Sequence, residues 1–255
     1  MSTIVIRSNT VTPDAPWRWL GQGFRDLGRI PIQGLLYGLV FALVSGGLAW
    51  GLASGGALAW LFPLAGGFLL VAPLLAMGLY EAARHLEQGH PPALGDMVFV
   101  RARSPLQLAY LGFGLMFIFL VWVNLARILY ALSSYRTYTE LSDFAAFALT
   151  TPQGLTMLVV GTLIGGGIAI VAFAAAAVSA PMLMHRETDV FTAIATSVRT
   201  CLDNKPAMLL WAGLIAALTA VGIVTLFLGL IVVFPWIGLA TWHAYRDLVP
   251  QETPA

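Results

Sequence analysis

Four stretches of this chain contain no Asp, Glu, Lys, Arg or His: Ile30–Tyr80, Ser104–Asn124, Phe144–Met184 and Pro206–Trp242. A helix needs about 20 mainly apolar residues to cross the hydrocarbon core of a bilayer. The first stretch therefore holds two spans, and the second and third hold one each. The fourth, extended over His243 to Tyr245, holds two more. Apolar residues make up 59% of the 255 and charged residues 10%, where a water-soluble domain carries roughly 25% charged residues. So little charge cannot cover so much apolar surface in water. The expected fold is all-α, a polytopic membrane bundle of six transmembrane helices at about 31–53, 57–80, 105–128, 155–183, 206–226 and 228–246. A single domain is expected over 17–249, after a flexible cytoplasmic N-terminus (1–16) and before a short tail (250–255). The turn between the last two spans is expected at Thr225–Gly229.

The first thirty or so residues are mixed in character and lack the basic start, short apolar run and small-residue cleavage site of a secretory signal, so they are expected to be retained. Orientation follows from the basic residues of the short loops. With six spans, one side of the membrane receives Arg7, Arg18, Arg25, Arg29, Arg84, Arg101, Arg103, Arg186, Arg199, Lys205 and Arg246. The other receives Arg127 and Arg136. That asymmetry places both termini in the cytoplasm of a bacterial cell, in its inner membrane. The net charge of +1 gives no reason to expect a nucleic-acid partner, and a lone cysteine, Cys201, cannot form an internal disulfide.

The spans group into three hairpins. Pro31, Pro105 and Pro206 each open one, each with a glycine seven residues later: Gly38, Gly112 and Gly213. Proline is tolerated in a first helical turn because its missing N–H would have had no partner there. A mixed segment precedes each hairpin: "WRWLGQGFRDLGRI", "LGDMVFVRARS" and "DVFTAIATSVRTCLDNK". In the third, Val190, Phe191, Ile194, Ala195, Val198 and Leu202 recur with the helical period. The expected unit is an interfacial amphipathic helix followed by a helical hairpin, used three times.

The exits of the first and third hairpins repeat each other. "APLLAMGLYEAARHL" (Ala72–Leu86) and "FPWIGLATWHAYRDL" (Phe234–Leu248) each set a proline eleven residues before an arginine, Pro73 with Arg84 and Pro235 with Arg246. Tyr80 matches Trp242 and Ala82 matches Ala244, so aromatic and arginine fall at interface depth in both. The middle hairpin departs from this, leaving through "SAPMLMHRETD". Small residues recur every fourth position at Gly47, Gly51 and Gly55, at Gly161, Gly165 and Ala169, and at Ala172, Ala176 and Ala180. Such stripes let helices approach closely in lipid, within the monomer or across a dimer.

Chemistry-bearing residues are few. No Asp or Glu falls inside an expected span, which argues against ion-coupled transport and intramembrane aspartyl proteolysis. Asn124 and Arg127 lie near the outer end of the third span, where Arg127 snorkels outward or meets an anionic lipid or ligand. The candidate inner-face polar cluster is Glu81, Arg84, His85, His185, Arg186, His243 and Arg246, with Asp247 pairing Arg246. His85, His185 and His243 raise the question of haem or metal, but HxxxH, HExxH and CxxC are absent and no cofactor is expected. "GQGFRDLG" is not a dinucleotide fingerprint and follows no strand. In the outer loop, Phe144–Leu149 is expected to form a short helix resting on the bilayer.

Three segments, "GGFLLVAPLLAMGLYEAARHLEQG", "SAPMLMHRETDVFTAIATSVR" and "GLATWHAYRDLV", resemble a family of bacterial integral membrane proteins known only as a domain of unknown function and common in proteobacteria. The likeness runs from Trp19 to Val249. It implies a six-helix inner-membrane protein and brings no activity with it. The expected function is that of a non-enzymatic scaffold, assembly or regulatory component. Its partner would be the lipid bilayer, with a second membrane protein or a second copy of the chain as a candidate. The alternative is a transporter or channel for a neutral or apolar solute, and the third reading is a haem- or metal-binding subunit.

Overall fold

The computed structural model describes residues 8–57, 60–134, 137, 138 and 141–250. Every regular element among them is helical. In chain order they are α1 (Ala15–Arg29), α2 (Pro31–Ser54), α3 (Leu61–Leu75), α4 (Met77–Glu87), α5 (Leu94–Val98), α6 (Pro105–Ser133), α7 (Leu141–Thr150), α8 (Pro152–Ala176), α9 (Ser179–His185), α10 (Val190–Asp203), α11 (Lys205–Val224) and α12 (Leu230–Leu248). The three prolines stand at helix starts: Pro31 and Pro105 begin α2 and α6, and Pro206 sits in the first turn of α11. Residues 1–7 and 251–255, the ends of the expected tails, lie outside the described residues. Residues 8–11 are tied down, with the Asn9 N–H donating to the Leu248 carbonyl at 2.9 Å and the Val11 N–H to Asn204 Oδ1 at 2.8 Å.

Five helical segments are long and apolar enough to cross a membrane: Pro31–Ser54, Pro63–Glu87, Pro105–Ser133, Pro152–His185 and Lys205–Val224. Their large apolar side chains point outward, Leu43 66% exposed, Phe113 74% and Leu163 71%. Such surface is stable only in a solvent as apolar as itself. The sixth expected span corresponds to α12, which is not among these five. Twelve of its 19 residues are buried, and its last turns carry His243, Arg246 and Asp247. A helix walled by protein needs less apolarity than one facing lipid, because neighbouring side chains satisfy its polar groups.

Two expected spans contain breaks. One falls at Ala76 between α3 and α4, three residues after Pro73. There the Leu79 N–H bonds the Ala76 carbonyl at 2.9 Å in place of Leu75, and the Tyr37 hydroxyl donates to the freed Leu75 carbonyl at 2.7 Å. The other separates α8 from α9 at residues 177–178. Pro181 has no N–H for the Ala177 carbonyl, and its ring crowds that group.

The chain divides into two compact units. The first comprises Met1–Leu43, Pro73–Gly112 and Phe173–Ala255 and is built around α12. Helix α1 lies along α12 so closely that a Cβ on Gly23 would meet Ala240 Cα at 2.8 Å. Trp19 of α1 meets Trp211 of α11 edge to face at 5.7 Å, and the Trp236 indole donates to the Leu20 carbonyl at 2.8 Å. Gly38 of α2 packs on the Ile231 carbonyl, which Pro235 leaves without its helical donor. The second unit comprises Val44–Ala72 and Phe113–Ala172. In it the Trp122 indole donates to the Pro63 carbonyl at 2.8 Å and its ring lies against Gly66 and Gly165.

The three segments that precede α2, α6 and α11 differ from one another. Helix α10 buries Thr192, Ala193, Thr196, Ser197 and Thr200 and turns Phe191 and Leu202 outward. Of the expected apolar face, Val190 is buried and Ile194, Ala195 and Val198 are half-buried, while a hydroxyl-rich face seats the helix on the protein, where the Val178 N–H donates to Ser197 Oγ at 3.1 Å. Asp189 caps α10 by accepting from the Thr192 N–H at 2.9 Å, and hydrogen bonds from the Thr192 hydroxyl and then its backbone N–H hold the carboxyl below the usual range. The middle preface is only the five-residue α5, and the Phe144–Leu149 run lies within α7 as a helix. Phe144, Phe147 and Ala148 of α7 pack on Met157 of α8. Of the small-residue stripes, Gly161 and Gly165 meet Leu129 and Trp122 of α6, whereas Gly47 and Gly51 face open space.

Candidate functional site

The polar residues expected at one face sort into separate locks in the first unit. On α4, Arg84 Nε donates to Glu81 Oε2 at 2.9 Å, and His85 Nε2 stands 3.2 Å from Glu81 Oε1. His85 Nδ1 lies 3.8 Å from Asp96 of α5. On α9, His185 Nδ1 is 3.0 Å from the Tyr245 hydroxyl and edges the Trp242 ring at 5.4 Å. Arg186 donates to the Pro250 carbonyl, while its own carbonyl accepts from Ser104 Oγ at 3.0 Å. His243 leaves the group and pairs with the buried Asp26 of α1 at 2.6 Å, a carboxylate that Arg29 also reaches at 3.1 Å.

Arg246 does not pair with Asp247. It reaches Glu87 of α4, with Nη2 2.7 Å from Oε1, while the Trp242 indole donates to Oε2 at 3.1 Å. Asp247 turns to α1, accepting from the Trp19 indole at 2.9 Å with Arg18 at 3.4 Å. These contacts fasten α12 to α1, α4 and α9. Neighbours on one helix were within reach of sequence reasoning, as Glu81 with Arg84 illustrates. Asp26 and Glu87 were missed, because nothing in their local sequence marks a partner more than 150 positions away. Among the described residues no group of three His, Cys, Asp or Glu side chains is arranged to hold a metal ion.

A sizeable cavity lies elsewhere, wholly within the second unit. It has a volume of about 740 Å³, inside the range of roughly 300–1,000 Å³ usual for small-ligand sites. Segments of α3, α6, α7 and α8 wall it, and Trp60, Trp122, Tyr130 and Tyr138 contribute aromatic surface. Glycines on α8 thin the wall there, Gly161 and Gly165 against α6 and Gly166 with room for a side chain. The Tyr130 hydroxyl accepts the Tyr138 N–H at 3.1 Å, which ties residue 138 to α6. Arg127 is the only charged side chain among the described residues of the lining. Asn124, one turn earlier, donates to the Leu120 carbonyl of its own helix at 2.8 Å. The sequence pointed to Arg127 and to the glycine stripe separately; their meeting around one space is a property of the fold.

Residues 61–185, just under half of the chain, match a family model described as "Predicted integral membrane protein (DUF2189)". No curated protein and no solved structure matches the chain.

Proposed function

From a chain whose residues 61–185 are those of a predicted integral membrane protein of unknown function, we propose a non-enzymatic component of a bacterial inner membrane that holds an apolar guest of the bilayer. In this reading the chain crosses six times as three hairpins, α12 being the sixth passage, and both termini are cytoplasmic. The supporting observation is the cavity of about 740 Å³, whose walls are mainly aromatic, aliphatic and small residues beside Arg127. An apolar molecule gains about 0.8 kcal/mol for each CH₂ moved out of water. In a bilayer that gain is absent, so shape and aromatic contact must select the guest.

The test is retention of native lipids or quinone-like molecules by protein purified in mild detergent, read by mass spectrometry. Gly166→Phe adds a ring at a cavity-lining position with open space, whereas Gly167 has similar room but is not among the cavity residues. The proposal expects a defined guest on the wild type and Gly167→Phe, and its loss from Gly166→Phe. Equal retention by all three contradicts it.

A second reading, passage of a neutral or apolar solute, draws on the helix breaks at Ala76 and residues 177–178, since interrupted helices are frequent in transporters. Substrate-dependent flux in proteoliposomes supports that reading, and no flux across a broad panel of such solutes removes it.

A further inference from the structure

We infer that the guest of this cavity is an anionic lipid whose phosphate head is held by Arg127. The inference rests on the guest-binding reading above and adds the chemistry of the head group.

Arg127 lines the cavity and is exposed, and no described carboxylate lies within ion-pair distance of it. Arg84 with Glu81, Arg29 with Asp26 and Arg246 with Glu87, by contrast, are paired. A guanidinium near the end of a membrane helix is costly unless it reaches water or an anion. Its planar fork matches phosphate oxygens in a way that an ammonium does not.

The rest of the lining fits the remainder of such a molecule. Trp60, Trp122, Tyr130 and Tyr138 supply surface that is apolar in the body and polar at the tip, the character favoured where a lipid passes from head to chain. Apart from Arg127, the described lining carries no charge. One cation beside an otherwise uncharged, largely apolar space is complementary to one anion on an apolar chain. A zwitterionic head would set its own cation near Arg127, and a free anion would leave the apolar walls without a partner.

Binding is to be measured on the full chain in mild detergent by native mass spectrometry. The probes are phosphatidylglycerol and phosphatidylcholine with the same acyl chains, and glycerol phosphate as the soluble head alone. The expected result is that phosphatidylglycerol binds about tenfold more tightly than phosphatidylcholine, the size of one charge-assisted contact. Arg127→Gln abolishes the preference while retaining a guest, Arg127→Lys keeps part of it, and glycerol phosphate does not compete. Gly166→Phe reduces both lipids. Equal binding of the two lipids, or a preference that survives Arg127→Gln, overturns the inference and leaves guest binding standing. Competition by glycerol phosphate makes the occupant a soluble anion and overturns it as well. Failure of both lipids to bind overturns this inference, and the reading beneath it falls as well if the purified wild type retains no native guest.

Discussion

Arg246 of α12 and Glu87 of α4 are joined by two donors on one carboxylate oxygen, Nη2 at 2.7 Å and Nε at 3.0 Å. Glu87 also accepts from the indole of Trp242, a residue only 1% exposed. The ion pair is partly open to solvent, and such pairs contribute up to about 1 kcal/mol. The indole is different, because a buried donor without an acceptor costs about 1–3 kcal/mol. Glu87→Gln is therefore expected to lower stability slightly, and Glu87→Ala by about 1–3 kcal/mol. Thermal unfolding in detergent, followed by tryptophan fluorescence, separates the two.

Two glycines of α1 make a matched test of the packing against α12. A methyl group on Gly23 would overlap Ala240, whereas one on Gly21 meets nothing within 4 Å. Gly23→Ala is expected to cost about 1–3 kcal/mol through overpacking. Gly21→Ala is expected to stabilise by about 0.5–1 kcal/mol, because glycine is the weaker helix former. The same thermal measurement reads both.

The break at Ala76 depends on Tyr37, whose hydroxyl satisfies the Leu75 carbonyl at 2.7 Å. Tyr37→Phe leaves that carbonyl without its donor where water is scarce. The expected loss is about 0.6–2 kcal/mol, the span from measured membrane hydrogen bonds to a buried unsatisfied group. Hydrogen exchange at the Leu79 and Tyr80 amides is expected to quicken as the break loosens.

Cys201 offers a test by pH. Burial pushes its thiol up to about 12, against an unperturbed value of about 8.5. The folded protein thus favours the neutral thiol. The associated stability is fully present below about 8.5 and is lost as pH rises toward the folded value. Maleimide labelling of the native protein between pH 7 and 10 is expected to be far slower than labelling after denaturation, because the thiolate is the reacting species.

The parts of this fold open to sequence reasoning are those that report the surrounding solvent. Uncharged stretches mark where lipid begins, the prolines at 31, 105 and 206 mark where helices start, and the turn near Thr225–Gly229 falls where the last long stretch must divide. Periodicity also marked α10, although the face that seats it on the protein is made of Thr192, Thr196, Ser197 and Thr200. What remained hidden is which helix faces which. His243 meets Asp26 across 217 positions and Trp242 meets Glu87 across 155, and no local pattern encodes such pairings. The repeated exits at Arg84 and Arg246 looked equivalent, yet one arginine binds within its own helix and the other binds a neighbour. The cavity was hidden for the same reason, since its walls come from four helices.

Accessibility of single cysteines in right-side-out spheroplasts, in a Cys201→Ser background, tests the six-pass arrangement on which the cavity reading stands. The positions are Asp143→Cys and Leu228→Cys for one face, and Glu187→Cys and Thr253→Cys for the other. A membrane-impermeant maleimide is expected to label 143 and 228 in intact spheroplasts, and 187 and 253 only after lysis. Labelling of 143 and 253 from the same side would contradict the sixth crossing by α12 and the shared cytoplasmic location of the termini.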